Sequence, residues 1–373
     1  MANLAVRTLL HSKSKLAITL AGVAFAVTLV LVQVGLFMGL LGNASITIEK
    51  LPADLWITAP NTPNVDFATS FPAQRVERIR AIHGVERADN LIVAFMEIAL
   101  PSGAKEGTLV YALERFRDWG FPWRVTQGDV DDLRRQPSIF MDDSAERRYG
   151  AFHVGEYREI LDRRLKIVGR TREAKSFTTT PILFMDLALA QEMRGLAGQT
   201  TYIVVKLVPG TDVETVRAEI RRRLPYNDVY TRGEWAAKSK EYWIRSTGIG
   251  LNIYLAVFLG CLVGLLVVAQ TLYSSTLEHL KEFGTVKAIG GGNWDIYKIL
   301  FQQALIVALA GFGLGLTVSH TLGALAEGLD LRLAISDVLT ACVFGGALAI
   351  CLAAAVLSFR KVASIDPALV FRG

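Results

Sequence analysis

Four long stretches of this chain contain no Asp, Glu, Lys or Arg, and no other feature restricts its fold as strongly. They run from Leu16 to Leu41, Ile249 to Leu272, Ile299 to Leu325 and Val338 to Phe359. A helix needs about 20 mostly apolar residues to cross about 30 Å of hydrocarbon, and each stretch is long enough. The first follows Arg7, Lys13 and Lys15, as a signal peptide would. It is well beyond the roughly 7–15 residues of a signal core, so it reads as an uncleaved span. The charge removed from these stretches collects elsewhere. Of the 75 Asp, Glu, Lys and Arg residues in the chain of 373, 58 lie between Gly42 and Gly248. This pattern excludes a soluble enzyme, a disordered chain and a disulfide scaffold. It leaves a membrane protein with one large water-exposed domain.

The net charge of +5 invites a nucleic-acid reading, but the polar region holds 30 basic against 28 acidic residues. The surplus sits beside the apolar stretches and orients the spans. Arg7, Lys13 and Lys15 precede the first span, Lys281, Lys287 and Lys298 separate the second from the third, and Arg360, Lys361 and Arg372 follow the fourth. The 326–337 connection holds only Arg332 among Glu327, Asp330 and Asp337. The expected order is therefore a cytoplasmic tail (1–15), span 16–41, an outer domain (42–248), span 249–272 and a cytoplasmic loop (273–298). Span 299–325, a short outer loop (326–337), span 338–359 and a cytoplasmic tail (360–373) complete it. Cys261, Cys342 and Cys351 all fall in spans, so no disulfide framework supports the outer domain.

Two stretches of the outer domain share one order of elements. The first reads as a strand at Asp54–Thr58, a helix at Ala73–His83 opened by Pro72 and stopped by Gly84, and a strand at Ile92–Ile98. The second reads as a strand at Thr201–Leu207, a helix to Leu224 with Thr211 and Glu214 as its capping box, and extended chain at Asp228–Thr231. Two such units flanking a strand-rich middle predict an α+β domain, with the topology of residues 105–185 left open. Trp119, Phe121 and Trp123 read either as an exposed contact loop or as core. The arginine pairs read as a solvated surface. Gly233–Gly248, with Trp235, Tyr242 and Trp243, reads as an interfacial belt continuing into the second span as one helix.

Catalytic patterns are missing. There is no P-loop, no H-E-x-x-H, no C-x-x-C and no G-x-S-x-G, and the five histidines are scattered. No metal site is expected. Asp131-Asp132 and Asp142-Asp143 are the only paired carboxylates of the outer domain, and neighbours in a strand point to opposite faces. No charged residue marks a relay through the spans. Gln33, Gly260, Gly264, Gly311 and Gly315 are candidate helix-packing positions, with Gly313, Gly345 and Gly346 beside them. A thin bundle of four spans suggests that these faces also pack against a second copy.

The most distinctive segment is Thr276–Gly292. It reads as a helix continuing past the second span, broken at Gly284 and ended by Gly290–Gly292. Leu280, Phe283, Val286 and Ile289 recur at three-residue intervals and give an apolar ridge edged by Lys281, Glu282 and Lys287. The alternative is a loop helix folded back on its own bundle.

Lys281-Glu-Phe-Gly-Thr-Val-Lys-Ala-Ile-Gly290 resembles the coupling loop of ABC permeases of the MacB/FtsX/LolCE type. Arg360–Leu369, with Asp366 and Pro367, resembles that family's closing motif. The layout of one span, an outer domain and three spans agrees. Leu20–Ala26 with Gln33 and Gly35, and Ala53–Pro60, are most similar to the DevC group. The resemblance implies a non-catalytic permease whose ATPase-coupling residues are Glu278, Leu280, Lys281, Glu282, Phe283, Gly284, Val286, Lys287, Ala288, Ile289 and Gly290. It implies a dimeric partner ATPase that binds ATP and Mg, a second copy of the chain, membrane lipid, and a periplasmic adaptor with an outer-membrane channel. It places the chain in a bacterial inner membrane and implies export of a lipid, glycolipid or other amphiphile. The alternative, also within the resemblance, is an FtsX-like signalling subunit that activates a cell-wall hydrolase. A membrane enzyme is the third possibility.

Overall fold

The computed structural model describes residues 6, 9–10, 12–279, 285, 292–328 and 331–363. The chain forms two compact units. One comprises Met1–Gly39 with Gly250–Gly373, and the other comprises Leu40–Ile249.

Four helices are long and apolar enough to cross a membrane. The first span runs through Lys13–Lys50, the second Ile249–Glu278, the third Asn293–Gly328 and the fourth Asp337–Ala363. Each is longer than its apolar stretch, because a helix does not stop where hydrophobicity does. The first continues unbroken nine residues past Leu41. The predicted continuity ahead of the second span is absent. The helix Arg232–Glu241 passes into a π-helical turn at Tyr242–Ser246, and Gly248, at φ +72°, breaks the chain before Ile249.

Lipid offers no hydrophobic drive between helices, so close contact depends on small residues. The first span is the axis of this packing. A Cβ on Gly311 would lie 2.6 Å from Val23, and one on Gly315 would lie 2.8 Å from both the Ala24 carbonyl oxygen and Val27. Thr28 Oγ1 donates to the Gly315 carbonyl at 3.1 Å. On the second span, Gly260 and Gly264 meet Leu29 and Ala26 at 2.8 and 2.9 Å. All four glycines are therefore used inside the chain, which removes them as the expected faces for a second copy. Gly313, on the opposite side of its helix, meets nothing within 4 Å. Gln33 is half-buried within the first span. Gly35 and Gly39 admit the 331–336 connection: the Ala334 amide donates to the Gly35 carbonyl at 3.0 Å, and a Cβ on Gly39 would lie 1.9 Å from the Arg332 oxygen.

In the outer unit, β1 (Leu55–Thr58), β2 (Phe71–Pro72), α1 (Arg75–Arg80) and β3 (Val85–Ala99) come first. The middle holds β4 (Lys105–Leu113), β5 (Val125–Gln127), β6 (Ser138–Asp142), β7 (Tyr157–Ile160), β8 (Arg163–Thr171) and β9 (Ile182–Asp186). Then follow β10 (Gln199–Thr200), β11 (Tyr202–Leu207), α2 (Val213–Arg223), β12 (Asp228–Thr231) and α3 (Arg232–Glu241). The two strand–helix–strand units interleave in the antiparallel order β12-β1-β11-β3, a ferredoxin-like arrangement. Its helices bury Val76, Ile79, Val216 and Ile220 against Leu55, Ile57, Ile203 and Val205.

The 105–185 region forms the other half of the domain. β3 pairs β4, and the path continues through β9, β6, β8 and β7. It returns to β3 through the single pair Ile98↔Ile160 and closes a ring of six strands. The 15-residue β3 belongs to both halves, pairing β11 over its first part and β4 from Leu91 onward. Leu91 and Val93 enter one core, and Ile92, Met96 and Ile98 enter the other.

Several local expectations shift. Pro72 lies in β2, and α1 begins only at Arg75. Asp212 rather than Thr211 caps α2, accepting from the Thr215 amide at 3.0 Å. A true capping box opens α3, between Thr231 and Glu234. Trp119, Phe121 and Trp123 are core residues, and so are Trp235 and Trp243 of the expected interfacial belt. Trp235 stacks on Tyr230 at 5.1 Å and Trp243 on Phe177 at 4.1 Å.

The glycine contacts predict a sharp contrast. Gly315→Ala meets backbone and a Cβ that cannot yield, and should destabilise the bundle by about 1–3 kcal/mol. Gly313→Ala, two residues away in open space, should be neutral or gain up to about 1 kcal/mol from helix propensity. Unfolding of the detergent-solubilised full chain checks both; equal effects would contradict this packing.

Candidate functional site

The second and third spans lead into and out of the loop that the sequence singles out. Leu280, Lys281, Glu282, Phe283, Gly284, Val286, Lys287, Ala288, Ile289 and Gly290 lie outside the described residues, as do Asp366 and Pro367. Val268 and Leu272 of the second span pack with Ile296, Ile299 and Leu300 of the third and Ala354 and Ala355 of the fourth. Thr276 and His279, near the end of the second span, are buried. Glu278 forms an ion pair with Lys15 of the first span, and Lys15 also donates to Ser274 Oγ at 2.9 Å. The loop thus leaves a base in which all four helices are tied together. Gly35 and Gly39 are further packing positions, and their G-x-x-x-G spacing is the signal that could have found them.

The paired carboxylates of the outer unit serve structure. Asp142 is fully buried and accepts from Ser144 Oγ at 2.6 Å, Thr171 Oγ1 at 3.2 Å and the Ala174 amide at 2.8 Å. Burial raises its pKa against the effect of those donors. Asp143 points to Arg170 at 2.8 Å and Arg172 at 3.2 Å. Asp131 pairs with Arg117 at 2.8 Å, and Asp132 receives Arg135 at 2.5 Å. Asp89, also fully buried, accepts from Trp119 Nε1 at 2.7 Å and Arg80 Nη2 at 2.9 Å, and fastens β3 to α1 and the 117–119 turn.

A different carboxyl stands out. The 59–70 stretch lies on the aromatic core and buries Thr62, Asn64, Val65 and Asp66. Tyr202 Oη donates to the carbonyls of Asn64 and Val65 at 3.1 and 3.0 Å, and the Val65 amide donates to Ser239 Oγ at 3.2 Å. Asn64 Oδ1 accepts from the amides of Asp66 and Phe67. Burial alone lifts the Asp66 carboxyl to about 7, with no cation or donor opposing it. The titratable groups facing it are Tyr111 and Tyr202, whose phenols burial also raises. Tyr111 Oη shares a 2.9 Å hydrogen bond with Thr47 Oγ1. In sequence Asp66 sits in a Pro- and Asn-bearing loop, where nothing signals burial.

The folded state binds the Asp66 proton up to about pH 7, the unfolded state only to about 3.8. This contribution to stability is full below pH 3.8 and is lost as pH rises through 7. Between pH 5 and pH 8 the outer unit should lose about 2–3 kcal/mol relative to Asp66→Asn. Denaturant unfolding of the full chain, read by tryptophan fluorescence, checks this; identical pH profiles would refute it.

Comparison with known proteins supplies the wider context. Residues 16–223 match the MacB-like periplasmic core domain, and residues 254–367 match the FtsX-like permease C-terminal domain. An uncharacterized ABC transporter permease of Mycobacterium tuberculosis strain H37Rv is 26% identical over 99% of this chain and 99% of its own length. Another, from Mycobacterium bovis, is 28% identical over 96% of this chain and 95% of its own. Among solved structures, the periplasmic region of MacB from Actinobacillus actinomycetemcomitans covers 54% of this chain and 97% of its own at 10% identity, with a TM-score of 0.40. With one family model spanning more than half of its length and a second covering the three later spans, this multi-pass chain belongs to the MacB/FtsX family of ABC transporter permeases.

Proposed function

We propose that the chain is one half of a dimeric exporter, converting the motion of a separate ATPase into motion of its outer domain. The observation that carries this reading is the junction of the second and third spans. There the segment whose sequence alternates apolar residues with glycines follows a base that ties in the first span through Lys15 and Glu278. In this reading the loop and both termini face the cytoplasm, following the Lys and Arg distribution. A nucleotide-driven partner grips residues 278–290, and ATP and Mg bind in that partner. The chain performs no chemistry of its own.

The first span supports the transmission. Its helix is continuous from Lys13 to Lys50, so a displacement at one end is carried by unbroken backbone hydrogen bonds to the other. The charge-free stretches within the spans suit such a lever, because no ion path is needed through the bilayer. The cargo class we propose is a lipid, glycolipid or other amphiphile. It would be delivered in a bacterial inner membrane to a periplasmic adaptor and outer-membrane channel. Transport is favoured over hydrolase activation by the size of the outer unit, Leu40–Ile249, which holds a ring and a ferredoxin-like half. A second copy completing the permease would use surfaces other than the four buried glycines.

Phe283→Asp places a charge on the proposed ridge and should cut co-purification of the ATPase at least tenfold, as loss of an interface hot spot does. Membrane insertion and the size-exclusion profile should stay unchanged. A pull-down at the wild-type level would refute the coupling role. A co-purified cell-wall hydrolase in place of an adaptor would favour signalling.

A further inference from the structure

A cleft of about 240 Å³ runs between the first, second and fourth spans, and all three cysteines of the chain, Cys261, Cys342 and Cys351, line it. Every lining side chain is aliphatic or a thiol, or is absent as at Gly264 and Gly346. On the fourth span the lining positions from Leu339 to Cys351 fall on one helical stripe. At 1.5 Å per residue that stripe extends for about 18 Å. The cleft is therefore a groove along the helices rather than an isolated void. Cys342 and Gly346 at its edge are exposed, and a Cβ on Gly346 would meet nothing within 4 Å.

The surroundings decide what fills it. An apolar cavity of about 150 Å³ in a soluble protein already stays dry and takes up a hydrocarbon such as benzene. This one is larger, and it opens along helices whose solvent is hydrocarbon. Water gains no partner there, whereas an acyl chain lies parallel to the groove and restores the missing contacts. We propose that the groove is a binding site for one acyl tail of a bilayer phospholipid, which joins the fourth span to the first and second. The site requires only that the spans lie in a bilayer, and it stands whether the chain exports a cargo or transmits a signal.

The test uses the full chain in phosphatidylcholine nanodiscs doped with phosphatidylcholine carrying a diazirine midway along one tail. After illumination, labelled peptides are mapped by mass spectrometry. Labelling of residues 339–351 and 23–30 should exceed that of the exposed Leu305 and Leu309 face of the third span about fivefold. Gly346→Phe should bring it down to the level of that face, while Gly313→Phe, at an equally open glycine on the third span, should not. The wild-type comparison decides even where a variant fails to fold. Even labelling of all exposed faces would overturn the proposal. So would enrichment untouched by Gly346→Phe in a folded variant. Oxidative cross-linking of two copies through Cys342, with the groove closed to the probe, would show a second copy as the occupant and would also overturn it.

Discussion

The close approach of the first span to its neighbours is the contact on which the membrane unit depends. Hydrocarbon satisfies no backbone group and rewards no burial of apolar surface, so helices in it are held by contact distance. Gly311 and Gly315 bring the third span onto Val23 and Val27, and Gly260 and Gly264 bring the second onto Leu29 and Ala26. Gly35 and Gly39 receive the short connection between the last two spans. The second span, the third span and the 331–336 connection therefore each press on the first span where a methyl group would not fit. Such a helix moves with its bundle, as the proposed transmission requires.

The outer unit reaches stiffness by another route. In water the hydrophobic effect is available, and β3 uses it twice, feeding alternate residues to two cores. Asp89 and Asp142 add buried carboxylates whose donors come from separate elements and staple those elements together. Asp66 is the exception. It is buried without a compensating charge among the described residues, and burial raises its pKa.

The spans, the charge distribution and both strand–helix–strand units were legible because each is a local periodic signal. Family membership was legible because the 281–290 loop is an unusual string. The six-strand ring was not, since closure rests on pairings between distant segments and on the single bridge from Ile98 to Ile160. Nor was the fate of the glycines: Gly313 and Gly315 look alike in sequence, yet one faces open space and the other a backbone oxygen. By position alone, aromatics next to a span suit an interfacial belt. Trp235 instead stacks on Tyr230, five residues earlier in β12, and Trp243 stacks on Phe177, from a separate part of the chain. Thr211 and Asp212 both suit the cap of α2 in sequence, and only backbone geometry selects Asp212.

The account turns on what touches the loop after the second span. A photo-crosslinking amino acid at Val286, activated in intact membranes, reads this directly. The account predicts a covalent adduct with an ATP-binding subunit, formed from the cytoplasmic side and altered in yield when nucleotide is bound. Adducts only with the chain's own helices, or with proteins of the outer compartment, would contradict it.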